Sequence, residues 1–400
     1  MDGRSGSRRV QRARIGVVVG LVVAIVGASG TWLCLSVARA AGPSSSTVLV
    51  AGGAYDLNDD ATATADLYNS GTGTFTATGS MTDPRAFHTA TLLSTGEVLV
   101  AGGVNFGTYL SSAELYSPTA GTFALTTGAM STARVDHTAT LLASGNEVLI
   151  AGGMNSGGAL DSAELYDPTS GTFTATKGLM TDSRYGHVAA LLQNGDVLIA
   201  GGNDGTGVVA TAELYDPGSG TFTSTGSMSS ARKFATATVL SDGTVLVVGG
   251  VDNSGNVQPT AELYDPTTGT FSPVPSTMSD ARYDQSAVLL SNNTVLVAGG
   301  LGSNASNALA SADVYTPRSQ SFSPTRNSMN EARAEAAATL LSDGKVLIAG
   351  GTNGYAMSQS AEVYNPRGEK FTCVGGAGAT GGCAATMSSK RWGPTATLLP

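Results

Sequence analysis

A glycine pair that closes a short apolar run occurs seven times in this chain of 400 residues. The steps between consecutive pairs are 50, 50, 49, 48, 50 and 51 residues. The first glycines of the pairs are Gly52, Gly102, Gly152, Gly201, Gly249, Gly299 and Gly350. A period near fifty residues is typical of a repeat protein, in which one supersecondary unit is stacked several times.

Each period contains four short segments that are typical of strands, such as the alternating residues 88–93 and the apolar run within residues 97–103 for the first two. The third segment carries an acidic residue, Leu or Val, and then a tyrosine: Tyr68, Tyr116, Tyr166, Tyr215, Tyr264, Tyr315 and Tyr364. The fourth segment carries a phenylalanine seven residues after each tyrosine: Phe75, Phe123, Phe173, Phe222, Phe271, Phe322 and Phe371. Four strands per fifty residues predict an all-β chain built from the four-stranded antiparallel blades of a β-propeller.

The glycine pair after the second strand, the acidic-Leu-Tyr triplet and the following phenylalanine resemble the kelch repeat. The resemblance covers about residues 46–400 and implies a propeller, but it does not fix a function, because one fold hosts many functions. Residues 46–53 form a second strand without a first, and residues 393–400 form a first strand without a second. We therefore predict seven blades, the last one closed by pairing of the N- and C-terminal strands, which leaves no open edges.

Residues 1–40 do not belong to the repeat, so we assign the propeller to residues 41–400. Several arginines precede an uncharged span over residues 15–38, and Ala38-Arg39-Ala40 supplies a small-x-small cleavage site. This pattern predicts a secretory signal peptide. The span is also long enough to cross a bilayer, so an uncleaved membrane anchor is the alternative. Either reading predicts a secreted or extracytoplasmic protein.

The net charge of the repeat region excludes one class of partner. The first 40 residues hold six of the 21 Lys and Arg and one of the 30 Asp and Glu, which leaves 15 against 29 and a net charge of −14. Such an acidic surface is unsuited to nucleic acid. We also expect no membrane contact beyond the possible anchor.

Two cysteines remain after the first 40 residues, Cys373 and Cys383, and they close a glycine-rich insertion. In an oxidising compartment two thiols at this spacing predict a disulfide. A redox or metal-binding pair is the alternative, but no further ligands lie nearby in the sequence.

Every repeat also carries an arginine before its first strand and an acid at the start of its third. The arginines are Arg85, Arg134, Arg184, Arg232, Arg282, Arg333 and Arg391, and the acids are Asp66, Glu114, Glu164, Glu213, Glu262, Asp313 and Glu362. In an antiparallel blade both positions lie on the same face. We therefore expect structural ion pairs rather than a ring of arginines that binds carboxylates.

The loops between the second and third strands lie on that face and vary from repeat to repeat, whereas the other turns are uniform. They offer Tyr55, Phe106, Tyr109 and Tyr355 among Asn and Asp residues. Variable loops on a rigid scaffold are where recognition residues are usually found. These four aromatic residues are the predicted ligand-binding residues, and the predicted ligand is an extracytoplasmic protein or a glycan.

An enzyme is the alternative, because the galactose-oxidase-like proteins that this repeat resembles are built on a seven-bladed kelch ring. The resemblance implies a copper centre with histidines, tyrosines and a thioether-linked cysteine. This chain has three histidines, and only the loop cysteines are available after residue 40. We therefore predict a binding or scaffold protein without catalytic residues or cofactor. The remaining alternative is an oxidase-like enzyme whose catalytic domain is absent from this chain.

The three histidines, His88, His137 and His187, each stand three residues after a repeat arginine in consecutive repeats. If the first strands line a central channel, these imidazoles could converge on a zinc or copper ion. Asp136 and Asp284 would then be supporting partners of the ligands. The alternative is that each histidine hydrogen-bonds a backbone carbonyl of its own blade.

Overall fold

The structure is a computed structural model that describes residues 45–56, 60–143, 147–303, 307–378 and 382–400. These residues form seven four-stranded antiparallel sheets, with turns and loops between the strands. The predicted all-β, seven-bladed propeller is confirmed. No helix within the described ranges has the length and apolar character needed to cross a membrane.

The first three strands are β1 (Thr47–Ala51), β2 (Ala65–Asn69) and β3 (Thr74–Ala77). Blade 1 consists of β4 (Thr89–Leu92), β5 (Val98–Ala101), β8 (Ala113–Ser117) and β9 (Thr122–Leu125), with the hairpin β6 (Val104–Asn105) and β7 (Thr108–Tyr109) inside it. Blade 2 consists of β10 (Thr138–Leu141), β11 (Val148–Ala151), β14 (Ala163–Asp167) and β15 (Thr172–Ala175), with the hairpin β12 (Met154–Asn155) and β13 (Gly158–Ala159) inside it. The sequence did not predict these two small hairpins.

The remaining blades repeat the plan, and in their described residues the corresponding loops carry single β-bridges instead of two-residue strands. Blade 3 consists of β16 (Val188–Leu191), β17 (Val197–Ala200), β18 (Ala212–Asp216) and β19 (Thr221–Ser224). Blade 4 consists of β20 (Thr236–Val239), β21 (Val245–Val248), β22 (Ala261–Asp265) and β23 (Thr270–Pro273). Blade 5 consists of β24 (Ser286–Leu289), β25 (Val295–Ala298), β26 (Ala312–Thr316) and β27 (Ser321–Pro324). Blade 6 consists of β28 (Ala337–Leu340), β29 (Val346–Ala349), β30 (Ala361–Asn365) and β31 (Lys370–Cys373), and the chain ends with β32 (Thr395–Leu398).

The composite blade is formed by β32, β1, β2 and β3 in that order. Its closure pairs Val48 with Leu398 and Ala51 with Thr395, antiparallel. The predicted pairing of the chain's two terminal strands is therefore confirmed. The first strand of each blade contacts the first strands of its neighbours, which places these strands around the central channel and the fourth strands outside.

The hydrophobic core lies between the blades rather than inside them. The second strands are buried on both faces, since Leu49 packs towards blade 1 and Val50 packs towards blade 6. The repeat tyrosine fills the same gap, as Tyr116 of blade 1 does against Leu49. This two-sided burial explains why the second strand has an unbroken apolar sequence while the other strands alternate.

The repeat tyrosine and phenylalanine face each other across the third and fourth strands. Tyr116 pairs with Phe123 in register, and their ring centroids lie 4.8 Å apart at a tilted angle. The same pair recurs in every blade at 4.8–5.1 Å. The seven-residue spacing between the repeat tyrosine and phenylalanine therefore reflects an aromatic contact across two strands.

Candidate functional site

The loops between second and third strands and the connections between blades lie on one face of the ring, called the loop face below. On this face each repeat arginine pairs with the acid of its own blade, as predicted. Arg184 Nη2 lies 2.7 Å from Glu213 Oε1, and both side chains are buried. The seven pairs span N–O distances of 2.7–3.3 Å. These arginines are committed to structural contacts and do not form a carboxylate-binding ring.

Each ion pair also ties together the other motifs of the repeat. In blade 1, Arg85 Nη1 donates to the carbonyls of Gly102 and Ser112 at 2.7 and 3.0 Å. The Glu114 carboxylate accepts the backbone N–H groups of Thr82 and Asp83 at 2.8 and 3.1 Å. The arginine thus joins three strands of its blade, and the charged groups are compensated by hydrogen bonds as buried charges must be.

The first glycine of each pair allows the next blade to approach closely. Gly102 has a φ of +65°, and a Cβ at this position would lie 2.6 Å from the Arg134 carbonyl oxygen. That carbonyl instead accepts the N–H of Gly103 at 2.9 Å. A side chain would therefore be strained and would also separate neighbouring blades.

Three of the four predicted ligand-binding aromatics are exposed on the loop face. Tyr355 is 71% exposed, Phe106 is 64% exposed and Tyr55 is 45% exposed, whereas Tyr109 is half-buried in β7. They belong to blade 6, blade 1 and the composite blade, which are consecutive in the ring. The structure therefore places them on one arc of the face, called the aromatic arc below, but does not enclose them in a common pocket.

Asparagine side chains hold the loops of the aromatic arc in place. Asn353 Oδ1 accepts the N–H groups of Tyr355 and Ala356 at 2.9 and 2.8 Å. Asn105 Oδ1 accepts the N–H of Ala61 in the neighbouring loop at 3.4 Å. The first contact stabilises the turn that carries Tyr355, and the second links the loops of blade 1 and the composite blade.

The three histidines lie at three different interfaces between blades. Nε2 of His137 is 3.0 Å from Thr89 Oγ1 of the preceding blade, and Nε2 of His187 is 3.0 Å from Thr138 Oγ1. His88 repeats the contact with Thr395 at 3.2 Å. No three His, Cys, Asp or Glu side chains in the described part of the chain are grouped so as to hold a metal ion. The geometry gives the three-histidine metal site no support.

Burial keeps these histidines neutral. Desolvation, followed by the charge of Arg85, lowers the pKa of His88 to about 3. Desolvation and the charge of Arg184 likewise lower the pKa of His187 to about 3. Gln285 takes the equivalent position in blade 5 and contacts Thr236 Oγ1 at 3.3 Å. The side chain at this position is therefore polar and packs between the first strands of neighbouring blades.

The residue two places after each repeat arginine has a positive φ in all seven blades, between +50° and +61°. These residues are Phe87, Asp136, Gly186, Phe234, Asp284, Glu335 and Gly393. Their backbones are linked around the channel, as when Phe234 N–H donates to the Gly186 carbonyl at 2.7 Å. The seven residues form a rim at the channel mouth, and they are called the rim below. Left-handed backbone in non-glycine residues is costly and clusters at functional sites.

Five of the seven rim residues line an open cavity of about 270 Å³. Its lining includes Asp136, Phe234, Asp284 and Glu335 of the rim, together with Gln285. Burial, and next the charge of Asp136, raises the pKa of Asp284 to about 8, while Lys233 acts in the opposite direction. Sequence reasoning named Asp136 and Asp284 only as supports for a metal site and missed Glu335. Alignment of the seven repeats on their arginines would have shown these acids in one column.

Comparison with known proteins agrees with the fold. The Kelch motif matches residues 137–179 and 232–278, which contain all four strands of blade 2 and of blade 4. The chain is a seven-bladed β-propeller, and two of its repeats match the Kelch motif. No curated protein matches its sequence. The propeller fold and its two Kelch motif matches suggest a protein-binding or scaffold role.

The disulfide predicted between Cys373 and Cys383 is present in the structure. It joins the end of β31 to the connection that leads into β32. Both cysteines of the described residues are used in this bridge, so these residues supply no cysteine for the thioether link of an oxidase-like copper centre.

Proposed function

We propose that this propeller is an exported binding or scaffold protein that recognises a protein partner through the aromatic arc. The supporting observation is the exposure of Tyr355, Phe106 and Tyr55 on three consecutive blades. Exposed aromatic side chains on a rigid surface supply large contact area at low entropic cost, and they are enriched where proteins meet partners.

A binding screen with the full chain tests this proposal. The chain is applied to arrays of cell-surface proteins and of glycans, and hits are re-measured with Phe106→Ala and Tyr355→Ala. Each variant should weaken a true protein hit by about tenfold or more, as expected for an aromatic anchor. Leu125→Ala is the matched control, because Leu125 is 55% exposed on β9, the outermost strand of blade 1.

Hits that respond equally to Leu125→Ala and Phe106→Ala would contradict the proposed surface. A glycan hit with the same dependence on Phe106 and Tyr355 would replace the protein partner by a carbohydrate. Copper loading with peroxide production from sugars or glyoxal would instead support the oxidase alternative.

Export is the second part of the proposal, and its sequence support lies in residues 1–40, which are outside the described residues. The disulfide agrees with export, because such bonds persist in oxidising compartments. Cell fractionation and sequencing of the amino terminus test it. A chain that begins at Ala41 outside the cytoplasm supports a signal peptide, an intact chain in the membrane fraction supports an anchor, and a cytoplasmic chain contradicts export.

A further inference from the structure

The face opposite the loop face, called the turn face below, carries the turns from first to second and from third to fourth strands. In blades 1 to 4 these turns and the adjoining strand ends contain acids but no Lys or Arg: Glu97, Glu147, Asp167, Asp196, Asp216, Asp242 and Asp265. In blades 5 and 6 the charged residues at these places are Arg318, Asp343, Lys345, Arg367, Glu369 and Lys370. The basic residues of the turn face are therefore confined to one sector of an otherwise acidic face.

A cavity of about 360 Å³ lies in this sector, between blade 6 and the composite blade. Tyr68 of β2 lines it on the side of the composite blade, and Lys345 and Lys370 line it on the side of blade 6. Its apolar lining includes Val363 and Val374. The volume is within the range of small-molecule sites, so the cavity can hold a compact ligand.

The insertion after β31 explains why the cavity lies between these two blades. At the next interface around the ring, the Gly79 N–H donates to the Gly121 carbonyl at 2.9 Å and joins the composite blade to blade 1. The corresponding residues of blade 6 and the composite blade are Gly375 and Gly73, and the described part of the chain contains no hydrogen bond between them. The interface is therefore less tightly closed on the turn face than its neighbour.

The hydroxyl of Tyr68 is a polar group without a partner inside this cavity. In blade 1 the equivalent hydroxyl of Tyr116 lies 2.9 Å from Thr78 Oγ1. Val374 takes the place of that threonine in blade 6 and has no hydrogen-bonding side chain. Tyr68 is 3% exposed, lines the cavity and makes no hydroxyl hydrogen bond within the described ranges. A buried hydroxyl without a partner is costly, and a ligand that accepts its proton would satisfy it.

Access to a cavity distinguishes Tyr68 from the other unpaired tyrosines of the repeat. The hydroxyls of Tyr166, Tyr215 and Tyr315 also lack a partner among the described residues, but they are fully buried. Burial, and next the charge of Asp343, raises the pKa of Tyr68. The hydroxyl therefore stays protonated and is available to a ligand as a hydrogen-bond donor.

The charged side chains that line the cavity leave one net positive charge. Lys345 Nζ lies 2.8 Å from Asp343 Oδ2, so these two charges compensate each other. Lys370 has no ion pair within the described ranges, and the neighbouring Glu369 pairs with Arg326 at 3.3 Å. One unpaired ammonium group and one neutral hydroxyl donor suit a monovalent anion such as a carboxylate better than a phosphate dianion.

We propose that the cavity between blade 6 and the composite blade binds a small carboxylate that carries a compact apolar group. The Lys370 ammonium and the Tyr68 hydroxyl donate to the carboxylate, and the apolar group packs against Val363 and Val374. This site lies on the turn face and does not depend on the aromatic arc of the loop face. It adds a small-molecule ligand to a chain whose proposed partner is a protein.

Ligand-observed NMR with the full chain tests the chemical class of the ligand. The probes are benzoate, its neutral analogue benzamide and inorganic phosphate, all at low ionic strength. Benzoate should bind with a dissociation constant of about 1 mM or lower, and benzamide should bind about tenfold more weakly because it lacks the charge. Added salt should weaken the binding of benzoate. Equal affinity for benzoate and benzamide, tighter binding of phosphate, or no benzoate binding at about 10 mM would overturn the proposal.

Tyr68→Phe locates the site without changing a charge. The variant should bind benzoate about tenfold more weakly, because a hydrogen bond to a charged group is lost. Its free energy of unfolding should not fall, since the hydroxyl has no partner within the described ranges. Tyr116→Phe is the matched control, because it removes the hydroxyl that contacts Thr78 in blade 1 and should leave the affinity for benzoate unchanged. Equal losses of affinity in the two variants would place the binding elsewhere and contradict the proposal.

Lys370→Gln tests the contribution of the charge. It should lower the affinity for benzoate by about tenfold and remove most of the salt dependence, while the affinity for benzamide stays the same. Lys177→Gln is the matched control, because Lys177 is an exposed lysine that follows β15 in blade 2. A loss with Lys177→Gln as large as that with Lys370→Gln would show a general charge effect and would contradict the site.

Val374→Thr tests the role of the unpaired hydroxyl by a third route. The change gives Tyr68 the partner that Tyr116 has in Thr78, so the variant should bind benzoate severalfold more weakly although every charge is kept. Chemical unfolding of the same variant checks that the ring remains folded. If both Val374→Thr and Tyr68→Phe bound benzoate as tightly as the parent chain, the hydroxyl would not belong to the site and the proposal would fail.

Discussion

At the scale of single residues, the buried arginine of each blade carries more structural connections than any other side chain in the repeat. Arg184 bonds the Gly201 and Thr211 carbonyls as well as Glu213, all within its own blade. Buried pairs of this kind are strongly destabilised when one partner is removed, since the other charge stays in a low-dielectric environment. The pair therefore secures the blade's geometry even where it adds little net stability.

Replacing Arg184 with methionine should destabilise the ring by about 3–5 kcal/mol, because Glu213 would remain buried without its partner. Chemical unfolding measures the loss. The double change Arg184→Met with Glu213→Leu should recover part of it, since neither charge is then buried. Arg326→Gln is the control: its pair with Glu369 is exposed, and its loss should cost less than about 1 kcal/mol. A loss for Arg184→Met as small as for Arg326→Gln would show that the pair has no structural role.

The buried histidines between the first strands make the free energy of unfolding sensitive to acid. In the unfolded chain a histidine has a pKa near 6.5, whereas burial lowers the pKa of His187 to about 3 in the fold. Between these values the unfolded chain binds a proton that the folded chain does not, so stability falls as the pH falls from about 6.5 towards 3. His187→Gln, which copies the natural Gln285 of blade 5, should be close to wild type at pH 7.5 and lose less stability at pH 4.5. Urea unfolding at both pH values decides this, and equal losses in the two proteins would refute it.

At the scale of strands and blades, the sequence predicted most of the architecture. Three sequence features reflect contacts within one repeat or with its neighbour: the glycine pairs, the Tyr–Phe spacing and the repeated Arg and acid. Because each feature occurs in seven copies, it is clear in the sequence. The rim leaves a weaker signal, since it is one variable column of the aligned repeats and that column does not show that its residues meet. Its acids Asp136, Asp284 and Glu335 differ from blade to blade and meet only because the ring closes. The hairpins β6–β7 and β12–β13 were also missed, since two-residue strands leave no periodic signal.

The Cys373–Cys383 bridge cross-links the insertion that connects blade 6 to the composite blade. Replacing both cysteines with alanine should lower the free energy of unfolding by about 2–3 kcal/mol on the chain-entropy estimate for a short loop. Dithiothreitol should lower the wild type to the same level and leave the variant unchanged. Mass spectrometry of unreduced peptides checks the pairing itself. Free thiols in material isolated from outside the cytoplasm would contradict the bridge.

At the scale of the whole molecule, a non-covalent strand pairing closes the ring. β1 pairs with β32 on one side and with β2 on the other, and the pairing with β32 joins the two ends of the ring. Around this closure Arg391 donates to the Gly52 and Thr64 carbonyls and to Asp66. Trp392 Nε1 adds a bond to the Asp56 carbonyl at 3.1 Å. The composite blade therefore repeats the contacts of the other blades with residues that are far apart in sequence.

Deleting residues 46–53 should lower the melting temperature of the entire ring rather than of one blade. The deletion removes β1 and exposes the edges of β2 and β32. It also removes the Gly52 carbonyl to which Arg391 donates. Differential scanning calorimetry measures the change. A circular permutant that starts between β3 and β4 and links residue 400 to residue 46 by a short turn is the matched control. It converts the closure into a covalent hairpin, so it should melt no lower than the parent chain. If the deletion left the melting temperature unchanged, the composite blade would not be what holds the ring shut.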